Sequence, residues 1–408
     1  MVIYRVKEGD TLSAVARTHG VLPTELAEAN GIPPDAALTP GRALLIRTPR
    51  DRYLVREGDT LWQIAKRHHT TVARLHQLNP ALEGKSDLYP GMSLTVSSGT
   101  PPLGSLSVLG YAHAETPREE LTSVLPYLSY LAVLSCRLGE EGMLLPPEDK
   151  RIVAAAREGG SVPLLVLTAA GDDGRAGEER RMRALLSEDT SQAVINAILP
   201  LLRTRGYGGI LLDLPLLPDL REAYTAFVIR LRHRLGHTAA VLATLPPEEN
   251  GLAAIGRAAG ALLTETHAFA SRFSAPAPAA PYDKVKETVT RAAREVRPQK
   301  LFMGISTRGE DFPVGGGVGR VLPPERIASL MEEGGRLGYD PVGRVPYLAY
   351  REEGVERILF FEDVESVAEK LRLLDREGLG GVALYPAVGV DRSLLLLLAE
   401  MFSIVRQA

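Results

Sequence analysis

At 408 residues, with 45% hydrophobic and 24% charged residues and a formal net charge of −3, the chain has the composition of a folded protein of two or three domains. No basic excess marks it for nucleic acid, and its most apolar run, Leu394–Leu398, is too short to span a bilayer. The single cysteine, Cys136, excludes intramolecular disulfides. Met1 leads straight into a charged, strand-like segment, so no secretory leader is expected.

The first hundred residues are a repeat. Tyr4–Leu12 (YRVKEGDTL) recurs as Tyr53–Leu61 (YLVREGDTL), an offset of 49. Val15-Ala16 answers Ile64-Ala65, Leu26 answers Leu75, Asn30 answers Asn79, and Pro40-Gly41 answers Pro90-Gly91. Each unit reads strand, helix, helix, strand. Asp10 and Thr11, like Asp59 and Thr60, stand where they would cap the first helix. The boundaries predicted are 1–48 and 52–98, followed by a linker of turn formers over 99–104.

This pattern resembles tandem LysM modules, which bind N-acetylglucosamine-containing glycans such as peptidoglycan and chitin. The resemblance implies a groove between two loops, formed by Gly9, Asp10, Thr11, Leu12, Asn30, Gly31 and Ile32. In the second unit the same positions are Gly58, Asp59, Thr60, Leu61, Asn79 and Pro80. Asp10 and Asn30 also admit a purely local role in capping and turns. Trp62, the one tryptophan, either stacks on a sugar or covers the small core; the core placement is the expectation.

From residue 105 to 408, apolar strands alternate with amphipathic helices. The expected strands are Leu106–Tyr111, Tyr130–Leu134, Val162–Leu167, Gly209–Asp213, Ala239–Thr244, Ala261–Thr266, Leu301–Ile305 and Gly381–Tyr385. The expected helices are 147–158, 178–204, 219–235, 282–296, 363–377 and 391–406. Unalternating apolar runs suit strands buried on both faces, and eight of them with intervening helices predict an α/β protein, a (β/α)8 TIM barrel. Residues 321–362 break the alternation with a helix and two strand-like runs, and read as a small α+β insertion. Gly315–Gly319 has no strand–turn–helix frame for a phosphate loop and reads as a flexible loop. Ala275–Pro281 reads as a stiff loop near the site mouth, and His68-His69 as solvated helix surface.

Ser107–Tyr111, Gly206–Asp213, Pro218–Phe227, Phe361–Lys370 and Gly380–Tyr385 resemble the barrel of family 18 glycoside hydrolases. With the modules in front, the pattern is similar to spore cortex-lytic and spore-envelope glycosidases of endospore-forming bacteria. The resemblance implies location in a spore coat, cortex or cell wall, a peptidoglycan-type partner, contacts with other coat proteins, and no cofactor or metal. In that family the substrate's own N-acetyl oxygen attacks, and a glutamate at the end of the fourth strand protonates the leaving oxygen. The signature Asp-x-x-Asp-x-Asp-x-Glu falls here on Gly208, Leu211, Asp213 and Pro215. Only the acetamido-orienting Asp213 remains, and Pro215 marks the lost proton donor.

The sixth strand ends in Glu265 and His267 where the family places a tyrosine whose hydroxyl meets the acetamido group. The eighth ends in Tyr385 where the family has tryptophan. Tyr111 lines the site from the first strand. Glu265 is the candidate displaced acid, ahead of His113, Glu115, Asp219 and Glu222. A metal set of His113, Asp213 and His267 has no supporting ligand spacing. These residues point to a glycan-binding protein whose glycosidase-like barrel is inactive. The alternatives are an N-acetylglucosaminidase using Glu265 and a structural coat scaffold.

Overall fold

The computed structural model describes residues 1–48, 51–236 and 239–406. In the first unit Val2–Arg5 pairs antiparallel with Ala43–Ile46, and helices Leu12–His19 and Pro23–Ala29 lie between them in sequence. In the second, Asp51–Leu54 pairs with Ser93–Ser97 around helices Leu61–Arg67 and Val72–Leu78. The first helices start as the sequence demands. The Thr11 hydroxyl accepts from Ala14 N, and Thr60 forms a reciprocal capping box with Gln63. The aspartates do not cap: Asp10 accepts from the Tyr4 hydroxyl at 2.7 Å and from Lys7 N at 2.8 Å, and Asp59 repeats this with Tyr53 and Arg56.

Eight parallel strands close the barrel: Gly104–His113, Tyr130–Leu138, Val162–Thr168, Gly209–Asp213, Ala240–Leu245, Ala261–Thr264, Leu301–Ser306 and Gly381–Tyr385. Strand eight returns to strand one through Val382↔Val108, and strand one pairs with strand two through Leu109↔Tyr130. The interior is apolar and layered by Leu109, Ala132, Leu164, Val166, Leu211, Leu242, Leu263, Phe302 and Ala383, the alternate-strand filling such barrels use. A second shell of core lies between strands and helices, where Phe227, Ile198 and Leu371 are fully buried.

Three expectations are corrected. The helix expected over 178–204 is two helices, Gly174–Leu185 and Glu188–Arg205, broken where Ser187 becomes extended. The last helix stops at Met401, and Phe402–Ile404 adds a parallel strand beside Gly104–Leu106. The insertion begins earlier than residue 321. Gly309–Pro313 and Arg320–Leu322 form a hairpin whose turn contains the glycine run, with Gly316 and Gly317 at φ of 90° and 134°. These strands, with Arg336–Asp340, Val345–Glu352 and Val355–Phe360, make one antiparallel sheet.

The two N-terminal units are seated on the barrel. Ala29, Ala43 and Leu45 belong to the same buried cluster as the barrel's helices. Arg47 pairs with Glu400 at 2.8 Å, Arg74 donates to the Ala399 carbonyl at 2.6 Å, and Gln77 donates to Pro126 O at 2.9 Å. Arg5 of the first unit pairs with Glu365 and lies over the ring of Tyr339 in the insertion.

Candidate functional site

The carboxyl ends of strands four, six and eight bring Asp213, Glu265 and Tyr385 to one mouth. They continue the inward-facing register of Leu211, Leu263 and Ala383, the layer below. Strand five separates the two acids: Thr244 donates to Asp213 Oδ1 at 3.1 Å, and Glu265 N donates to Leu245 O. Two neighbouring-strand spacings put the acids' backbones about 10 Å apart, with both side chains turned inward. Tyr111 from strand one meets Tyr385 edge-on, ring centres 5.3 Å apart. His267 lies 5.7 Å from the same tyrosine ring and fills the space over Gly304, where a Cβ would come within 2.3 Å of its Nδ1.

Burial dominates the electrostatics. It raises the Asp213 carboxyl above its ordinary range, while the Thr244 hydroxyl bond pulls it back down. Glu265 is pushed up to about 7, first by burial and then by the negative charge of Asp213. His267 is pushed down to about 4 by burial, so its imidazole is neutral. Tyr111 is raised by burial and then by Asp213 and Glu265.

The position two residues past Asp213 carries no proton. Pro215 is half-buried in a loop pinned by Leu214, Leu216 and Leu217, which are 3%, 7% and 8% exposed. The weaker candidate acids lie elsewhere. Asp219 is tied to Arg183 at 2.6 Å, which holds its carboxyl low. Glu222 is exposed, and His113 and Glu115 face each other at 4.0 Å, 57% and 81% exposed. His113 is thus paired at the exposed rim and is not gathered with Asp213 and His267. Among the described residues no cluster of histidine, cysteine and acids has the form of a metal site.

Two residues that feel the Asp213 charge have no sequence signal of their own. Glu178, in the helix after strand three, is half-buried and raised by burial and by Asp213. The Tyr224 hydroxyl, in the helix after strand four, is fully buried without a partner and also feels the Asp213 charge. The one available hint is that both helices follow strands whose ends face the mouth.

In the N-terminal units the expected groove residues divide. Gly9, Thr11, Gly58, Thr60 and Gly31 are exposed; Asp10, Asp59 and Pro80 are half-buried. Leu12, Leu61 and Ile32 are core. Asn30 and Asn79 are buried straps: Asn30 donates to Leu26 O and Leu45 O and accepts from Leu45 N, and Asn79 repeats this with Leu75 and Thr95. The second loop of each unit abuts the barrel, with Gly31 against Arg392 and Pro80 lining a cavity with Glu120, Glu325 and Arg392. Trp62 is not core; it is 63% exposed, with the Lys66 ammonium 5.0 Å from its ring centre. His68 is half-buried edge-on to Tyr53, not solvated like His69.

Residues 4–47 and 53–97 match the LysM domain, and residues 171–388 match the glycosyl hydrolases family 18. The cortical fragment-lytic enzyme of Bacillus cereus is 28% identical, covering 93% of this chain and 94% of that protein. The crystal structure of the Bacillus cereus spore cortex-lytic enzyme SleL aligns over 100% of both chains, with a TM-score of 0.81 at 26% identity. A chitinase from Chromobacterium violaceum shares the fold over 72% of this chain and 98% of its own, with a TM-score of 0.66 at 20% identity. With that family model spanning more than half of its length and strands four to eight of the barrel among the residues matched, the chain belongs to the glycosyl hydrolases family 18 and carries two LysM domains ahead of its barrel.

Proposed function

We propose that the protein is a glycan-binding component of the spore envelope or cell wall, whose barrel holds an amino sugar without cleaving it. The LysM modules would engage N-acetylglucosamine-containing glycan, peptidoglycan foremost, and two modules on one polymer gain avidity. The similarity to cortex-lytic enzymes over nearly the whole length supports the placement in spore or wall.

The observation that carries the loss of hydrolysis is Pro215. A proton donor at that position is worth about 10²–10⁴-fold, and proline supplies no proton. Glu265 stands on strand six, where the family's tyrosine meets the acetamido group, so its proton faces that group and not the leaving oxygen. What remains is recognition: Asp213 to orient the 2-substituent, and Tyr111 and Tyr385 as apolar walls.

One observation favours a second reading. Glu265 is lifted to about 7 beside Asp213, the arrangement in which one carboxyl stays protonated to act as an acid. The two readings separate on cortex peptidoglycan and N-acetylglucosamine oligomers, by mass spectrometry of new reducing ends. The binding reading expects none above background. Product that disappears in Glu265→Gln and persists in Asp219→Asn would replace it with a hydrolase.

A further inference from the structure

The barrel mouth is rich in hydrogen-bond acceptors and short of positive charge. Asp213 and Glu265 project into it from alternate strands, and Glu178 approaches from the helix after strand three. Among the described residues, neither Asp213 nor Glu265 is in an ion pair with lysine or arginine; the Thr244 hydroxyl on Asp213 is the side-chain donor these two carboxylates have. Arg308 reaches the rim but stacks 5.4 Å from the centre of the Tyr385 ring. His267 is held neutral in the wall, with Nδ1 buried and unpartnered. The Tyr224 hydroxyl is likewise buried and unpartnered on the Asp213 side. Unpaired, desolvated carboxylates are costly, and a bound cation removes that cost.

We propose that this mouth selects a glucosamine unit with a free, protonated 2-amino group over its N-acetylated form. The inference rests on the mouth being a sugar site, as proposed above. An ammonium offers three donors and no acceptor, which matches two opposed carboxylates. An acetamido group fits worse. Its carbonyl oxygen would meet the Glu265 carboxylate where the family's tyrosine offers a hydroxyl, setting acceptor against acceptor.

The electrostatics give the selection a signature. Glu265 feels the charge of Asp213 on strand four, and Tyr111 on strand one feels both acids; His267 and Tyr385 flank the same mouth, and Arg308 lies over the Tyr385 ring with Glu310 beside it. With Glu265 near 7 in the protein alone, a fraction of it is protonated at neutral pH. An arriving ammonium favours the ionised form, so Glu265 gives up its proton, to solvent where the sugar arrives as the ammonium and to the sugar where its amine arrives neutral. Below that range a protonated Glu265 donates to a carbonyl oxygen, and the acetylated sugar regains ground.

The test is calorimetric titration of the full chain with the fully de-acetylated glucosamine tetramer and with the N-acetylglucosamine tetramer. It is run at pH 7.5 and 5.0, in two buffers of different ionisation heat. The LysM modules also bind acetylated sugar, so the mouth is read as the difference between the parent protein and Glu265→Gln or Asp213→Asn. At pH 7.5 the amine tetramer is expected to lose tenfold or more in affinity in both variants. The share of its proton exchange that Glu265 supplies is expected to vanish in Glu265→Gln, seen as a difference from the parent protein, and Glu265→Tyr is expected to turn the preference toward the acetylated tetramer. If only the acetylated tetramer responds to the variants, the sugar site stands and selection of the amine is overturned. If neither tetramer responds, the sugar-site reading falls with it. Circular dichroism of each variant confirms that the barrel is intact.

Discussion

Asn30 shows how one residue type in one motif admits two meanings. Its side chain bonds three backbone groups inside the module, and Asn79 does the same one repeat later. Asn30→Ala would leave those groups buried and unpaired, at about 2–4 kcal/mol. Urea denaturation should show that loss, whereas Thr11→Ala should cost about 1 kcal/mol as a lost cap. An Asn30→Ala protein as stable as its parent would refute the strap. Glu265 makes a second prediction at this scale. Its pKa is higher folded than unfolded, so the folded state holds the proton more tightly. Stability is therefore largest below the ordinary value near 4.5 and falls as pH rises to about 7, by at most about 3 kcal/mol. Denaturation midpoints at pH 5 and 8 should differ more in the parent protein than in Glu265→Gln. The sequence places Asp213, Glu265 and Tyr385 at strand ends because apolar runs end there. It is silent on Glu178, since a helix residue leaning back over a neighbouring strand leaves no periodic trace.

At the scale of elements, the barrel strands carry a clearer sequence signal than their surroundings. Runs such as Gly209–Asp213 and Gly381–Tyr385 are buried on both faces, so their composition alone marks them. The start of the insertion is hidden in the sequence because Gly309–Pro313 alternates polar and apolar residues and is followed by glycines, a pattern that conceals an edge hairpin inside an apparent loop. The contact between modules and barrel depends on polar side chains against helix ends. Glu400 is 3% exposed and pairs with Arg47, while Arg74 caps the carbonyl end of the same helix. Removing one partner of a buried pair costs about 3–5 kcal/mol. Arg47→Met should therefore split one cooperative calorimetric transition into two, with the modules released before the barrel melts; a single transition at the parental temperature would contradict this.

For the whole molecule, these contacts make the modules part of one body, not beads on a tether. A compact chain of this length has a radius of gyration of about 22 Å. Small-angle scattering should return that value, and the Arg47→Met protein a larger one. The same rigidity fixes the LysM loops beside the barrel: Gly31 and Pro80 both approach the rim near Arg392. A glycan held by a module is thus presented at a set distance from Asp213 and Glu265.

The strand Phe402–Ile404 lies beside Gly104–Leu106, and the helix before it receives Arg47 and Arg74. Those residues are synthesised after everything they join. Domains fold as they emerge, N-terminal first, so each module would meet its own small core long before its seat exists. For most of translation the modules would be free to bind glycan or a chaperone independently. The order of assembly is thus written into the chain: recognition units first, the barrel next, and the geometry between them last.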